Sequence, residues 1–406
     1  MGATFAGGGG PPSSGPAVTA GVDPARPGPY REPFGRLVPG GSVVSVPGVR
    51  VGAAQATADG WLTGTTVLLP PHGTVTGVDV AGGGPATHET DVLTPGTHSP
   101  GADAIVLTGG SAWGLSAALG VQQGLAADGR GFPAPQLPGA YVPIVPAAAV
   151  YDLGRGDGTL HHPGPELGLA AYRSAREEGG DRAGVLGGRA PVRGSVGGGT
   201  GAFTGRGLLR GGQGSVCLRT RGGHLVAALV VANPMGDVLA PSGRLHADGV
   251  LERVGLTVPA APADWVEQAL ALDGTVRDAV LSPRNTTIAA IVTDAGLDAA
   301  QVTRVAQSAQ AGLARAVHPS HTLYDGDTVF ALATGAAQSD VPSHELVAIN
   351  AAAADALSLA IVDAVVAAAA HPRGAGAEVP AAPRPAALRE VAPEMVRAWE
   401  AQTTGA

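Results

Sequence analysis

The sequence predicts a layered α/β fold, in which long helices cover stacked sheets. Three observations support this expectation. The chain has 406 residues, of which 44% are hydrophobic and 14% are charged, so it can bury a large core. Strand-like and helix-like runs are mixed without a regular strand–helix–strand alternation, which favours stacked layers over a doubly wound parallel sheet. We find no repeat with a period of about 20–50 residues, so a solenoid is not expected.

The predicted elements are described in chain order. The run DAIVLTGG is a strand that ends in a glycine turn, and a helix follows with Ser111 as its N-cap. The run YVPIVPAAAVYDLG contains prolines and is expected at a sheet edge or in irregular structure. Further strands are predicted in GSVCLRT, HLVAALVVANPMGDV, TTIAAIVTD and VFALATG. Long helices are predicted over 298–317 and 344–370, with Asp298 and Ser343 near their starts as caps.

Composition divides the chain into three segments. Residues 1–38 are rich in Gly, Pro and Ser and are predicted to be a disordered tail. Residues 39–371 are predicted to form one folded domain. Residues 372–406 are predicted to be a Pro/Ala-rich linker followed by a short terminal helix. The first residues lack the basic start and apolar stretch of a signal peptide, and no uncharged run of 18 large apolar residues appears, so we expect no membrane partner.

Charge and cysteine content exclude several classes of function. The net charge of −8 argues against a nucleic-acid surface. All 25 basic residues are arginines, so no lysine can form a Schiff base or bind a phosphate in a P-loop. Cys217 is the only cysteine, which rules out an intramolecular disulfide and fits a reducing, cytoplasmic location.

The common cofactor and hydrolase motifs are also missing. No GxGxxG or GxxxxGK motif is present, no HExxH occurs among the 11 histidines, and no serine lies in a GxSxG turn. HPSH and DGD, at 318–321 and 325–327, contain metal-ligand residue types, but a loop is the simpler interpretation. We therefore predict neither a cofactor nor a metal site.

The segment SPRNTTIAAIVTD (282–294) has residues that suit self-cleavage. The hydroxyl of Thr286 can attack the carbonyl carbon of Asn285, and water can then cut the resulting ester. The new chain would begin with Thr286, whose hydroxyl is a nucleophile and whose α-amine, with an ordinary pKa of about 7.7–8.0, is a base. A pair of threonines at a strand start is also common without any such role, because β-branched residues favour strands.

A family resemblance gives this chemistry more weight. Ordered segments match over residues 40 to about 371: VRVGAAQATADGWLTGTTVLLP, DAIVLTGGSAWGLSAALGV, VPIVPAAAVYDLGRGD, GSVGGGTGAFTG, ALVVANPMGDV, RNTTIAAIVTDAGL and HTLYDGDTVFALATG. In these segments the chain resembles the DmpA-type L-aminopeptidase/D-esterase-amidases. Those enzymes cleave their own chain, and their mechanism is related in logic to that of N-terminal nucleophile hydrolases. The resemblance implies an αββα sandwich that is cut into a larger chain, 39–285, and a smaller chain, 286–371.

The resemblance also implies roles for individual residues. Thr286 matches the nucleophile, Asn233 matches an asparagine that holds the oxyanion, and Tyr151 matches a tyrosine used by some members. Asp325 and Asp327 flank a glycine where some members have Ser-Gly-Glu, so a carboxylate replaces a hydroxyl in the group that orients the nucleophile. The glycine loops TGGS and GGGTGAFTG are expected to bring backbone N–H groups close to the substrate. An N–P turn at Asn233 and a simple D–G–D turn are the alternatives that need no catalytic role.

The resemblance implies a function with several variants. The leading hypothesis is an aminopeptidase-like amidohydrolase that acts on small amides or peptides and assembles as a homo-oligomer of processed chains. One alternative is a pantetheine-type hydrolase that cuts a β-alanyl amide. Another is an acyltransferase similar to ornithine acetyltransferases, although the ordered segments match those enzymes poorly. An uncleaved relative that only binds or assembles is the non-enzymatic alternative.

Overall fold

The structure, a computed structural model, describes residues 33–99, 101–177, 193–271, 285–336, 341–370 and 385–404. The strands are β1 (Gly35–Leu37), β2 (Arg50–Ala56), β3 (Thr63–Leu69), β4 (Val75–Val80), β5 (Thr87–His88), β6 (Ile105–Thr108), β7 (Phe132–Pro133), β8 (Tyr141–Val142), β9 (Ala147–Ala149), β10 (Phe203–Thr204), β11 (Leu209–Arg210), β12 (Gly212–Thr220), β13 (Leu225–Asn233), β14 (Thr286–Thr293) and β15 (Thr328–Ala333). The helices are α1 (Ser111–Gly114), α2 (Ala117–Ala127), α3 (Pro165–Glu177), α4 (Asp248–Arg253), α5 (Ala263–Ala271), α6 (Ala299–Ala316), α7 (Ser343–Ala367), α8 (Leu388–Val391) and α9 (Pro393–Thr403).

Two large sheets are formed by the described strands. The first has six strands in the order β1-β12-β13-β14-β15-β4, and the second has five in the order β2-β3-β6-β9-β5. In the first sheet, β12, β13 and β14 pair antiparallel, while β14 and β15 pair parallel. The central strands are buried on both faces, which explains why their sequences are almost continuously apolar.

The two sheets and the helices stack into four layers. Helices α6 and α7 cover the outer face of the first sheet, and the core between them includes Val230, Ile291, Leu313 and Leu357. The inner faces of the two sheets meet in a second core that includes Leu68, Leu107, Leu229 and Ile288. Helices α2 and α3 cover the second sheet over a third core that includes Val67, Val106, Val121 and Tyr172. This αββα arrangement confirms the predicted fold class.

Several local predictions need correction. Strand β1 pairs with β12 inside the segment predicted to be a disordered tail, so the fold includes residues before 39; residues 1–32 of that tail lie outside the described residues. Strand β9 lies between β6 and β5 and not at an edge, because the prolines of YVPIVPAA precede it and do not interrupt its ladder. Helix α1 begins at Ser111, but its N-cap is the left-handed Gly110. Asp298 does cap α6, with a capping box to Gln301.

The C-terminal segment adds to the core. The predicted terminal helix is present as α9, preceded by the short α8, and Trp399 of α9 is 1% exposed. The indole N–H of Trp399 donates to Oδ1 of Asp363 on α7 at 3.0 Å. Among the described helices, α7 alone has the length and hydropathy of a membrane span, but 89% of that stretch is buried inside the fold, as is typical of a core helix.

Candidate active site

Strands β13 and β14 bring Asn233 and Thr286 together. Asn233 is the last residue of β13, Thr286 is the first of β14, and the two are direct partners in the antiparallel ladder. Because side chains alternate along a strand, Thr286 shares a face with Ile288, and Asn233 shares a face with Val231. Both of those neighbours lie in the core between the two sheets. The candidate nucleophile and the candidate oxyanion residue therefore lie side by side at the end of the inner face.

The hydroxyl of Thr286 lies against the peptide bond predicted to break. Its Oγ1 donates to the carbonyl oxygen of Asn285 at 2.5 Å. The backbone N–H of Gly326 donates to the same Oγ1 at 3.1 Å and to the Asn285 carbonyl oxygen at 3.3 Å. One N–H donor thus contacts both the attacking oxygen and the carbonyl oxygen on which negative charge would develop.

The loop before β15 supplies this donor. Asn285 and Asp325 form a parallel bridge, which extends the β14–β15 pairing and sets Gly326 beside Thr286. A Cβ atom on Gly326 would lie 2.9 Å from Thr286 Oγ1 and 2.9 Å from the carbonyl oxygen of Gly84. Only glycine allows the backbone to approach the hydroxyl this closely.

The structure places Asp325 and Asp327 on either side of Gly326, and their carboxylates accept hydrogen bonds from backbone and side-chain groups around the loop. Asp325 accepts from the N–H of Met235 at 3.3 Å and from the N–H and hydroxyl of Thr322 at 3.0 and 2.6 Å. Asp327 accepts from the N–H of Thr287 at 2.8 Å and from the backbone N–H of His321 at 3.0 Å. Neither carboxylate hydrogen-bonds to the Thr286 hydroxyl in the described part of the chain. The hydrogen bonds of these acids hold the loop and the strand, and Gly326 contacts the candidate nucleophile.

Burial and neighbouring groups shift the pKa values of Asp325 and His321 in this loop. Burial and the neighbouring Asp327 raise the pKa of Asp325 above its ordinary 3.8. A hydrogen bond to Asp327 raises the pKa of His321 above 6.5, and His321 Nδ1 lies 2.9 Å from Asp327 Oδ2. The backbone N–H and the ring Nδ1 of His321 thus both contact Oδ2 of Asp327.

Asn233 is fully buried, and both the oxygen and the nitrogen of its side-chain amide have hydrogen-bond partners. Its Oδ1 accepts from the backbone N–H of Phe203 at 3.0 Å and from Nη1 of Arg155. Its Nδ2 donates to the backbone carbonyl of Tyr151 at 3.3 Å. Tyr151 is half-buried beside the same amide, so the structure brings together Thr286, Asn233 and the Tyr151 backbone.

Arg155 is a site residue that the sequence reasoning missed. Its guanidinium donates to the carbonyl oxygen of Gly201 at 2.7 Å and to Oδ1 of Asn285 at 3.2 Å, in addition to Asn233. It also lies over the ring of Phe203, 4.3 Å from the centroid. Burial lowers the pKa of Arg155 to about 10, and nearby Asp152 partly offsets this, so the side chain is charged at neutral pH. The arginine occurs in the segment VPIVPAAAVYDLGRGD, but nothing local in that pattern signals that it is half-buried and contacts both asparagines.

Asp152 holds the glycine loop TGGS in place through a hydrogen bond to its backbone. Its Oδ1 accepts from the N–H of Gly110 at 2.6 Å, and burial raises its pKa to about 6. A Cβ atom on Gly109 would lie 2.2 Å from Asp152 Oδ2 and 2.3 Å from Thr63 Oγ1. Within the second predicted glycine loop, Gly201 contributes a carbonyl group to Arg155. The glycine loops thus allow close backbone packing around the Tyr151–Arg155 segment.

Comparison with known proteins gives a consistent result. A protein-family model described as "Peptidase family S58" matches residues 41–378. An uncharacterised aminopeptidase of Mycobacterium leprae is 40% identical over 349 residues, which cover 81% of this chain and 91% of the relative. A 6-aminohexanoate-oligomer endohydrolase of Paenarthrobacter ureafaciens is 30% identical over 334 residues, which cover 79% and 83%.

Solved structures show the same architecture. A β-aminopeptidase from Burkholderia sp. has a TM-score of 0.60 at 26% identity and covers 88% of this chain and 97% of its own. The L-aminopeptidase D-Ala-esterase/amidase from Ochrobactrum anthropi, described as a new variant of the Ntn hydrolase fold, has a TM-score of 0.57 at 22% identity and covers 82% and 88%. The second likeness shows the fold, and together the findings confirm the resemblance seen in the sequence.

Proposed function

We propose that this chain, which belongs to peptidase family S58, is a self-cleaving amidohydrolase with Thr286 as its N-terminal nucleophile. Membership of this family makes it a hydrolase of the aminopeptidase and amidase type. One observation carries the finer proposal: Thr286 Oγ1 lies against the Asn285 carbonyl group, and the Gly326 N–H donates to both oxygens. This geometry suits attack of the hydroxyl on the preceding peptide bond.

Self-cleavage would proceed in two steps. Thr286 Oγ1 attacks the carbonyl carbon of Asn285, the C–N bond breaks, and the hydroxyl proton passes to the departing nitrogen of Thr286. An ester now joins Asn285 to Thr286 Oγ1. Water adds to this ester and releases a new carboxylate on Asn285, which leaves Thr286 with a free hydroxyl and a free α-amine.

Turnover would reuse the same atoms. The α-amine of Thr286 accepts the hydroxyl proton while Oγ1 attacks the substrate amide, and the proton then passes to the leaving amine. The acyl-enzyme ester is hydrolysed by water, which the α-amine deprotonates. Preorganised donors aimed at the oxyanion commonly contribute about 2.7–4 kcal/mol each, and Gly326 N–H and the Asn233 amide are suited to this role.

The substrate is proposed to be a small amide. Among the relatives, one is named as an aminopeptidase and another as an endohydrolase of 6-aminohexanoate oligomers, and both names describe cleavage of an amide bond. A β-alanyl amide, as in the pantetheine-type alternative, belongs to the same class of bond.

Mass spectrometry of the purified protein tests the proposal. We expect two fragments, the second beginning at Thr286, and none in the isosteric variant Thr286→Val. Thr287→Val is a matched control, because Thr287 is the next residue, is fully buried, and has a hydroxyl without a hydrogen-bond partner among the described residues. Removal of that hydroxyl should leave cleavage intact. An intact wild-type chain without amidase activity, or normal cleavage in Thr286→Val, would refute the proposal.

A further inference from the structure

The side-chain amide of Asn233 is held in one orientation by its neighbours. Its Oδ1 accepts two hydrogen bonds, from the backbone N–H of Phe203 at 3.0 Å and from Nη1 of Arg155. These two bonds use both lone pairs of the amide oxygen. If the amide were turned over, its NH₂ group would face two donors and both hydrogen bonds would be lost. The positions of the amide oxygen and nitrogen are therefore fixed by this network.

This orientation leaves one N–H of Asn233 for the oxyanion. Nδ2 carries two hydrogens, and one is donated to the carbonyl oxygen of Tyr151 at 3.3 Å. In the part of the chain that the structure describes, the second hydrogen has no acceptor, although Asn233 is fully buried. Because Asn233 and Thr286 are direct partners in an antiparallel ladder, their Cβ atoms are expected about 4.5–5.5 Å apart. A buried N–H donor this close to the nucleophile suits the oxygen that becomes charged in a tetrahedral intermediate.

We propose that Arg155 is a positioning residue of the oxyanion site, which fixes and polarises the amide of Asn233 so that its second N–H meets the oxyanion. This inference rests on the proposed function, since it needs a tetrahedral intermediate formed by Thr286 Oγ1. Arg155 itself makes and breaks no covalent bond. It serves self-cleavage and turnover alike, because both intermediates form on the same hydroxyl. The role carries no preference for the acyl group of the substrate, whether or not that group bears an amine.

The contacts and charge of Arg155 suit this role. Its guanidinium also donates to the carbonyl oxygen of Gly201 at 2.7 Å and lies over the ring of Phe203, 4.3 Å from the centroid, so its position is fixed from two further sides. Within the described ranges, no carboxylate forms an ion pair with Arg155, and Asp152 acts on it only through its field. A hydrogen bond from a charged donor draws electron density from the amide oxygen, which makes the amide N–H a stronger donor.

Two double-mutant cycles on self-cleavage separate this role from a direct effect on the scissile bond. They are needed because Arg155 also donates to Oδ1 of Asn285 at 3.2 Å. Arg155→Met alone should slow self-cleavage by about 10- to 100-fold, as loss of a hydrogen bond from a charged group commonly does. In an Asn233→Ala background the same change should slow it by less than about twofold, because the amide through which Arg155 acts is already absent. In an Asn285→Ala background the full loss should remain. Cell-free synthesis followed by mass spectrometry gives time courses that start from the uncleaved chain.

Turnover by the processed protein gives a second measurement. Hydrolysis of L-alanyl- and β-alanyl-p-nitroanilide breaks the amide C–N bond, adds one water and releases p-nitroaniline, which is measured by absorbance. Arg155→Met should lower kcat for both anilides by the same factor and leave KM nearly unchanged, because the oxyanion develops only in the transition state. Arg155→Lys keeps a cationic donor and should recover part of the rate. Arg397→Met is a matched control for loss of one positive charge, since Arg397 is an exposed residue of α9 paired with Glu394, and it should behave as wild type.

The same cycles define the results that overturn the inference. A loss that persists in Asn233→Ala, or that vanishes in Asn285→Ala, would show that Arg155 acts on the scissile acyl group and not through the amide. Wild-type rates in a folded Arg155→Met protein, unequal kcat losses for the two anilides, or a change in KM alone would also overturn it. If Arg155→Met does not fold, Arg155→Lys is used in both cycles, where a smaller loss should show the same pattern. The proposed function survives all these results and fails only if the wild-type chain neither cleaves itself nor hydrolyses amides.

Discussion

Gly326→Ala tests the geometry around Thr286, the proposed nucleophile, most directly. The added Cβ atom would lie 2.9 Å from Thr286 Oγ1 and 2.9 Å from the carbonyl oxygen of Gly84, and 3.0 Å from Cα of Pro85. These contacts are about half an ångström closer than ordinary van der Waals separation. Because Gly84 and Pro85 are backbone groups, the Thr286 hydroxyl or the Gly326 loop must move. Reactive groups tolerate roughly 0.5 Å of displacement, and about 1 Å can cost 100-fold in rate. We therefore expect self-cleavage to slow by about 10- to 100-fold.

A time course of fragment formation on a denaturing gel measures this effect. The variant should remain folded, since overpacking of this kind typically costs about 1–3 kcal/mol, and its melting temperature should fall only moderately. Gly249→Ala is the control, because Gly249 lies in α4 and a Cβ there would meet nothing within 4 Å. That control should cleave at the wild-type rate. If Gly326→Ala is folded and cleaves as fast as Gly249→Ala, the close approach of Gly326 to the hydroxyl has no role in the reaction.

Two further predictions concern the residues around the nucleophile. Asn233→Asp keeps an acceptor for Arg155 and for the N–H of Phe203 but removes the Nδ2 donor. Turnover should fall by about 100- to 1,000-fold with a small change in melting temperature. An unchanged kcat would show that Asn233 does not bind the oxyanion. Asp327 raises the pKa of His321 above 6.5, so this pair stabilises the fold fully below that pH, and the contribution is lost as the pH rises through the raised pKa. Urea unfolding of His321→Asn should lack this pH-dependent loss, and an identical pH profile in both proteins would show that the pair does not couple to stability.

The sequence predicted the parts of the site that depend on strand pattern. Thr286 begins a strongly apolar run and is predicted at the start of a central strand, as observed, whereas the strand predicted in HLVAALVVANPMGDV runs past Asn233 and the observed strand ends at that residue. Their exact pairing follows from the register of β13 and β14, which no local pattern specifies. The family resemblance supplied the candidate roles, and the structure supplied the contacts.

The parts that the sequence did not predict arise from long-range packing. Arg155 meets Asn233 and Asn285 from 78 and 130 residues away in the chain. A single arginine in a glycine-rich segment usually lies in solvent, and only the tertiary structure shows that this one is enclosed. In the same way, D–G–D reads as a simple turn, and the role of Gly326 depends on the distance of its backbone from Thr286 rather than on its side chain.

The hydrogen bonds of the two aspartates help to identify the base. Asp325 and Asp327 each accept from backbone N–H groups that hold the Gly326 loop and β14 in place. A carboxylate that accepted the proton of the Thr286 hydroxyl would lose part of this hydrogen-bond network. Buried polar groups that lose their partners destabilise the fold. The α-amine that self-cleavage would create at Thr286 has an ordinary pKa near neutrality and lies on the same residue as the nucleophile. The proposed mechanism therefore assigns proton transfer to the new N-terminus, and a positioning role to the two acids; a catalytic role for Asp325 or Asp327 stays a prediction of the family resemblance. Under the proposed mechanism the uncleaved chain would not turn over substrate, because the nitrogen that would serve as the base is still part of the Asn285–Thr286 peptide bond.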